Sequence, residues 1–353
     1  MRAIAALAVL IYHFSIQFTA AGGSGHHWFY YAFNQIGYAG VDFFFVISGY
    51  IMWITTQKRH NQHPALDFAY KRATRIYFGY WPYFLLAVVI ISFKPGLLSE
   101  HTNLIGSLFL TELKTSKLLI QVAWTLQYEL YFYALFAMLL LLSRQLALRA
   151  IAGMIIVIFA YQLYIQLQTD TLTHPNSPGL LHFLLSPFCL EFFAGCLLGW
   201  FFQTQRVKYV SVVLFIGLAL LVGAIYVQEA VIGMSLIGSD HLILRIIIFG
   251  SSAVLLLATV IELEMRGRVL LKKFSTILGG ASYSIYLSHT IVIALVFAFG
   301  LQNWILHNSN WPGLWIFLLM LLTVFYSIIH YIWIEQPLMS MAKRLQKRLF
   351  RSY

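Results

Sequence analysis

Arg2 and His13 stand with ten residues between them on the apolar run MRAIAALAVLIYH. On a helix, eleven steps advance about 16 Å and turn about 20° past three full turns, so guanidinium and imidazole share one face. In a bilayer that face carries a cation at the surface and an ionisable ring near mid-depth, where such a group is costly and is read as functional. The arginine can hold anions, and a neutral imidazole can act as a base near neutral pH. A lone histidine can equally be a satisfied interior residue; Arg2 on the same face favours the chemical reading.

Other polar residues lie inside apolar runs. GYAGVDFFFVISGY puts Asp42 toward the outer half of the second run and Ser48-Gly49 near its middle. Asp42 could orient the imidazole as the acid of a triad does, or contact a donor from an outer loop. Ser48 could carry an acyl group, although a serine in a membrane helix often bonds its own backbone; Gly49 suits close helix approach. In DFAYKRATRIYFGYW, Arg72 and Arg75 are one helical turn apart at the membrane surface. They would face anionic phosphates, or anchor the chain beside a belt made by Tyr77, Tyr80 and Trp81. AWTLQYELYFYALF places Glu129 inside the fourth run, where it needs a partner or a proton; it could pair with an arginine or tune the histidine. SPFCLEFFAG carries a second such carboxylate, Glu191, followed by Gly195 and Gly199 at a spacing that favours tight helix packing. GGASYSIYLSHT sets His289 about 9 Å in from the inner surface, to touch a donor molecule or complete a buried network. IEQP, ending at Pro337, reads as a helix stop with Glu335 bridged to a basic side chain.

The elements that must position these residues follow from composition. Of 353 residues, 60% are hydrophobic and 10% charged, against about 25% charged in soluble domains. Windows of about 20 apolar residues fall at 3–21, 36–57, 76–93, 124–142, 150–167, 187–203, 209–228, 242–262, 283–301 and 313–334. An all-α polytopic membrane protein of about ten spans is expected, as a single domain over residues 1–353. With both termini inside, 19 of the 23 Lys and Arg residues are cytoplasmic, and only Lys94, Lys114, Lys117 and Arg245 are not. That topology explains the net charge of +11 better than nucleic-acid binding does. The outer stretches GGSGHHWFYYAFNQ, QTDTLTHPNSPG and QNWILHNSNWPG are aromatic and nearly uncharged, suited to stacking on sugars or to the headgroup belt. Residues 2–20 look somewhat like a signal peptide, but His13 and Gln17 within the apolar stretch argue against one. Cys189 and Cys196 read as packing residues. No metal-spaced cluster, phosphate loop or nucleophile elbow occurs.

The ordered segments MRAIAALAVLIYHF, GVDFFFVISGYIM, KRATRIYFGYW, WTLQYELYFYALF, SPFCLEFFAG, SYSIYLSH and IEQP resemble those of the acyltransferase-3 family of membrane acyltransferases, closest to its exopolysaccharide (ExoZ-like) O-acetyltransferase branch. The resemblance implies acetyl-CoA bound from the cytoplasm and an acyl group passed to a carbohydrate hydroxyl. It implies that Arg2 and His13 are the donor-binding and catalytic pair, that Arg72 and Arg75 are the basic pair of the first inner loop, and that Glu129 is the acidic position of the fourth span. Tyr80, Trp81, Trp124 and His289, from the matched segments, are further donor-binding candidates, and Asp42 joins His13 and Glu129 as a catalytic one. This chain departs from the family pattern in having few residues before Arg2, and in Phe78-Gly79 where Pro-Leu is common.

The expectation is therefore a multi-pass protein of a bacterial inner membrane, with no tightly bound cofactor. Acetyl-CoA is the donor and a polysaccharide or glycolipid the acceptor. The rival from another class is a proton-coupled transporter or flippase using the buried ionisable groups as a relay; a third reading is a non-catalytic partner of an envelope synthase.

Overall fold

The computed structural model describes residues 1–20, 28–56, 64–168, 179–232, 236, 242–268 and 272–350, and every regular element among them is helical. The first half holds α1 (Arg2–Ala20), α2 (Trp28–Ile36), α3 (Gly40–Thr55), α4 (Pro64–Phe93), α5 (Leu104–Leu108), α6 (Trp124–Leu139) and α7 (Arg144–Gln168). There follow α8 (Leu180–Leu184), α9 (Phe188–Phe201), α10 (Val210–Tyr226), α11 (Leu242–Arg245) and α12 (Ser251–Met265). The chain ends with α13 (Lys272–Ala298), α14 (Leu301–His307), α15 (Pro312–His330) and α16 (Gln336–Phe350). Lys58, Arg59, Arg351 and, within the outer stretches, residues 22–27 and 169–178 lie outside the described residues.

Nine stretches among the described residues are long and apolar enough to cross a bilayer. Helices close their backbone hydrogen bonds internally, as lipid demands, and side chains such as Phe93, Leu141 and Phe215 are left exposed as a lipid-facing surface. The fourth expected span is the short one. α6 holds 16 residues, about 24 Å, because the segment before it turns back along α4. The Tyr77 hydroxyl donates to the Phe109 carbonyl (3.0 Å), Tyr80 to Ser107 (2.9 Å) and the Trp81 indole to Leu108 (3.2 Å). From Phe93 the chain has thus returned by about 18 Å, twelve helical residues. α6 then starts beside α13, where Thr125 donates to the Tyr286 hydroxyl (3.0 Å).

The chain divides into two units, each built from distant stretches. The first comprises Met1–Ala5, Tyr38–Leu66 and Tyr131–Lys272. Here α3 and α9 pack main chain to main chain. A Cβ on Gly49 would lie 1.9 Å from the Phe192 carbonyl oxygen, and one on Gly195 2.0 Å from that of Val46. Each helix seats a glycine against the other, the close approach that small residues permit in membranes. Around this pair Asp42, Glu191 and Arg245 are all buried.

The second unit comprises Ala6–Gly37, Asp67–Leu130 and Lys273–Tyr353. Its α4 is one 30-residue helix, so Arg72 and Arg75 are helical rather than in a loop. A Cβ on Gly79 would lie 2.4 Å from the Tyr283 ring, and the Tyr283 hydroxyl donates to the Ile76 carbonyl (3.0 Å). The departure at Phe78-Gly79 therefore makes room for α13. α13 itself begins well before the expected position, at Lys272. His289 lies about 25 Å along that helix from its first residue. Gly279 and Gly280 are interior to it, and a Cβ on Gly280 would lie 2.4 Å from the Tyr331 hydroxyl. Glu335 is buried and accepts from Ser284 (3.0 Å), which also bonds His330 Nδ1 (3.2 Å).

Candidate active site around His13 and His289

Within the second unit α1 and α13 bring His13 and His289 together, with ring centroids 4.8 Å apart. Each ring is fixed by its own helix. His13 Nδ1 lies 2.9 Å from the Val9 carbonyl and His289 Nδ1 3.2 Å from that of Ile285. A carbonyl can only accept, so Nδ1 carries the proton in both rings, and Nε2 is the nitrogen left for chemistry. His289 is fully buried, and its Nε2 has no hydrogen-bond partner among the described residues. His13 is half-buried and lines a cleft of about 610 Å³.

That cleft extends along the C-terminal stretches of α4 and α13, past Ile90, Thr290 and Ala294. Gln17, one turn beyond His13, and Trp124, at the start of α6, also line it. Its remaining wall is the turned-back segment, including Ser99, Thr102, Thr115 and Ser116. Hydroxyl and amide groups thus mix with apolar ones along a cavity large enough for a small ligand. Trp124 borders the space next to His13, where a substrate rather than only a cofactor could meet it.

The other expected site residues fall elsewhere. Phe68, Arg72, Arg75 and Gly79 are spaced to share one face of α4, the face that meets Tyr283 at Gly79. Both arginines are half-buried. Arg72 stacks on Phe68, 5.5 Å from the ring centroid, and Arg75 makes no ion pair among the described residues. From Arg75 to the level of His289 is about 15 Å: four residues up α4 to Gly79, then six from Tyr283 to His289 on α13. Arg2, at the start of α1, lies over the Phe44 ring at 6.0 Å. The Tyr80 hydroxyl and the Trp81 indole N–H are engaged with the Ser107 and Leu108 carbonyls.

The two carboxylates expected to set the state of His13 are not its hydrogen-bond partners. Asp42 belongs to the first unit, where both its oxygens are held by Arg245, Oδ1 by Nε at 3.0 Å and Oδ2 by Nη2 at 2.8 Å. The Val9 carbonyl takes the orienting place that a triad acid would hold. Glu129 is buried in α6 and is hydrogen-bonded to neither histidine. Arg245, set aside as a basic residue outside the cytoplasmic loops, is instead buried between the Tyr38 and Phe188 rings, each 5.1 Å away. One signal could have found it: an arginine inside LILRIIIFG, in a chain whose spans also contain the carboxylates of Asp42, Glu129 and Glu191, needs one of them as a partner.

Comparison with known proteins gives the family. The chain is 33% identical over 293 residues to the exopolysaccharide production protein ExoZ of Rhizobium meliloti, covering 80% of this chain and 83% of that one. No solved structure matches. Residues 1–332 match the model of the acyltransferase-3 family, described as an acyltransferase domain, and the chain belongs to that family of membrane acyltransferases.

Proposed function

We propose that this protein transfers an acetyl group from acetyl-CoA, taken up at the cytoplasmic end, to a hydroxyl of an exported polysaccharide or its lipid-linked precursor in the cleft beside His13. The observation that carries this reading is the tethered His13 at the wall of that cleft. His13 Nε2 removes the proton of the acceptor hydroxyl as its oxygen attacks the thioester carbonyl. The C–O bond forms, the C–S bond breaks, and the leaving thiolate takes the proton back from the imidazolium. Arg72 and Arg75 hold the donor's phosphates about 15 Å away, a separation an extended donor must span. Binding energy gained far from the thioester then orients the reacting carbonyl. The similarity to an exopolysaccharide production protein supports a polysaccharide acceptor.

The rival reading, a proton-coupled transporter, draws on the buried Asp42, Glu191 and Arg245. Mass spectrometry of the cell's polysaccharides with and without the gene separates the two. The acyltransferase predicts loss of acetyl-sized mass increments while polysaccharide export continues. Unchanged acetylation with altered export would remove this reading in favour of the transporter.

A further inference from the structure

The first unit has a second pocket, about 200 Å³, at the end where α3, α6 and α9 stop and α7 begins. Trp53, Thr56, Phe136, Leu140, Arg144 and Gln203 are among its described walls. Its available polar groups are donors. The Trp53 indole N–H and the Gln203 amide nitrogen are buried without a hydrogen-bond partner among the described residues. Trp53 itself is 8% exposed. The Arg144 guanidinium lies 5.7 Å from the centroid of the Trp53 ring and makes no ion pair among the described residues. The Thr56 hydroxyl already donates to the Met52 carbonyl (2.7 Å). Buried donors are normally paired, so two of them beside a guanidinium call for an acceptor from beyond the described residues.

Size, depth and surroundings narrow the acceptor. The volume is below the roughly 300–1,000 Å³ of pockets that enclose drug-sized ligands, which disfavours a nucleotide and suits a single phosphate group. The pocket lies at helix ends, with Arg206 and Lys208 just beyond Gln203. Basic residues at the end of membrane helices mark headgroup depth and attract anionic lipid. Met138, Leu141 and Leu146, on the helix turns beside it, expose apolar side chains on which acyl chains could lie.

We infer that this pocket seats the phosphate of an anionic glycerophospholipid, with Arg144, Gln203 and Trp53 donating to its oxygens. Its walls share no residue with the histidine cleft, and phosphate binding there is not a step of acyl transfer. The test is native mass spectrometry of the purified full-length protein titrated with dioctanoyl phosphatidylglycerol. Dioctanoyl phosphatidylcholine and glycerol 3-phosphate serve as comparison ligands. One phosphatidylglycerol should be retained more tightly than either, and Arg144→Gln and Gln203→Leu should each weaken it by about tenfold. Acetyl-CoA turnover should be unchanged in both variants, which also shows that they fold. Glycerol 3-phosphate bound as tightly as the lipid would reassign the pocket to a soluble phosphate ester. Phosphatidylcholine bound equally well would remove the need for anionic charge. Equal phosphatidylglycerol retention by wild type and both variants would overturn the assignment outright.

Discussion

A guanidinium held between two aromatic rings inside a membrane helix needs a carboxylate, and Arg245 has both oxygens of Asp42. Removing one partner of a buried ion pair leaves an uncompensated charge and typically costs about 3–5 kcal/mol, whereas replacing both by apolar residues is often neutral. Arg245→Leu should therefore lower the thermal stability of the purified protein sharply, and the double variant Asp42→Leu/Arg245→Leu should recover most of the loss. An unaffected single variant would show that the pair contributes little. The arginines on α4 make a different prediction. A phosphate clamp binds ground and transition states alike, so Arg75→Ala should raise the KM for acetyl-CoA by about tenfold or more with kcat nearly unchanged. Steady-state kinetics with an intact KM would make Arg75 a surface anchor instead. The placement of His13 on α1 and of Arg72 and Arg75 one turn apart on α4 was legible in the sequence because spacing on a helix is a local property. The partner of Asp42 was not, because it lies 203 residues away and a count of basic residues sorts by loop rather than by depth.

At the scale of elements, polar aromatic side chains on α4 decide how a distant segment runs. Tyr77, Tyr80 and Trp81 hold the carbonyls of residues 107–109 and draw residues 94–123 back along their own helix. These aromatics read as an interfacial belt, and no local pattern distinguishes that role from a clamp on a segment some 27 residues later. The glycines of α3 and α9 were more legible, since Gly49 and the Gly195/Gly199 spacing already suggested close helix packing. Their prediction is steric. Gly195→Val would place a side chain where even a Cβ meets a carbonyl oxygen at 2.0 Å, and overpacking costs about 1–3 kcal/mol or more. Reduced melting temperature and yield are expected, whereas Gly223→Val, where a Cβ meets nothing within 4 Å, should be tolerated. Equal stability of the two variants would contradict the packing of α3 on α9.

For the molecule as a whole, hydropathy exposes most of the spans and the order of motifs exposes the family. The assembly of each unit from three separated stretches is set by tertiary contacts that no window of sequence contains. Sidedness rests on the distribution of basic residues and has its own test. A cysteine at Asn308, exposed beyond α14, should react with an impermeant maleimide in intact cells, and one at Lys343, exposed on α16, should react only after permeabilisation. The reverse labelling would invert the topology and place the donor's phosphates on the outer side.

The central claim is that His13 performs the proton transfer of acyl transfer, and turnover of purified protein with acetyl-CoA and polysaccharide tests it most directly. His13→Ala should fold and insert like wild type yet lose transfer by a factor on the order of 10²–10⁴, the usual cost of losing a general base. His13→Ala protein that transfers acetyl groups at the wild-type rate would contradict the account.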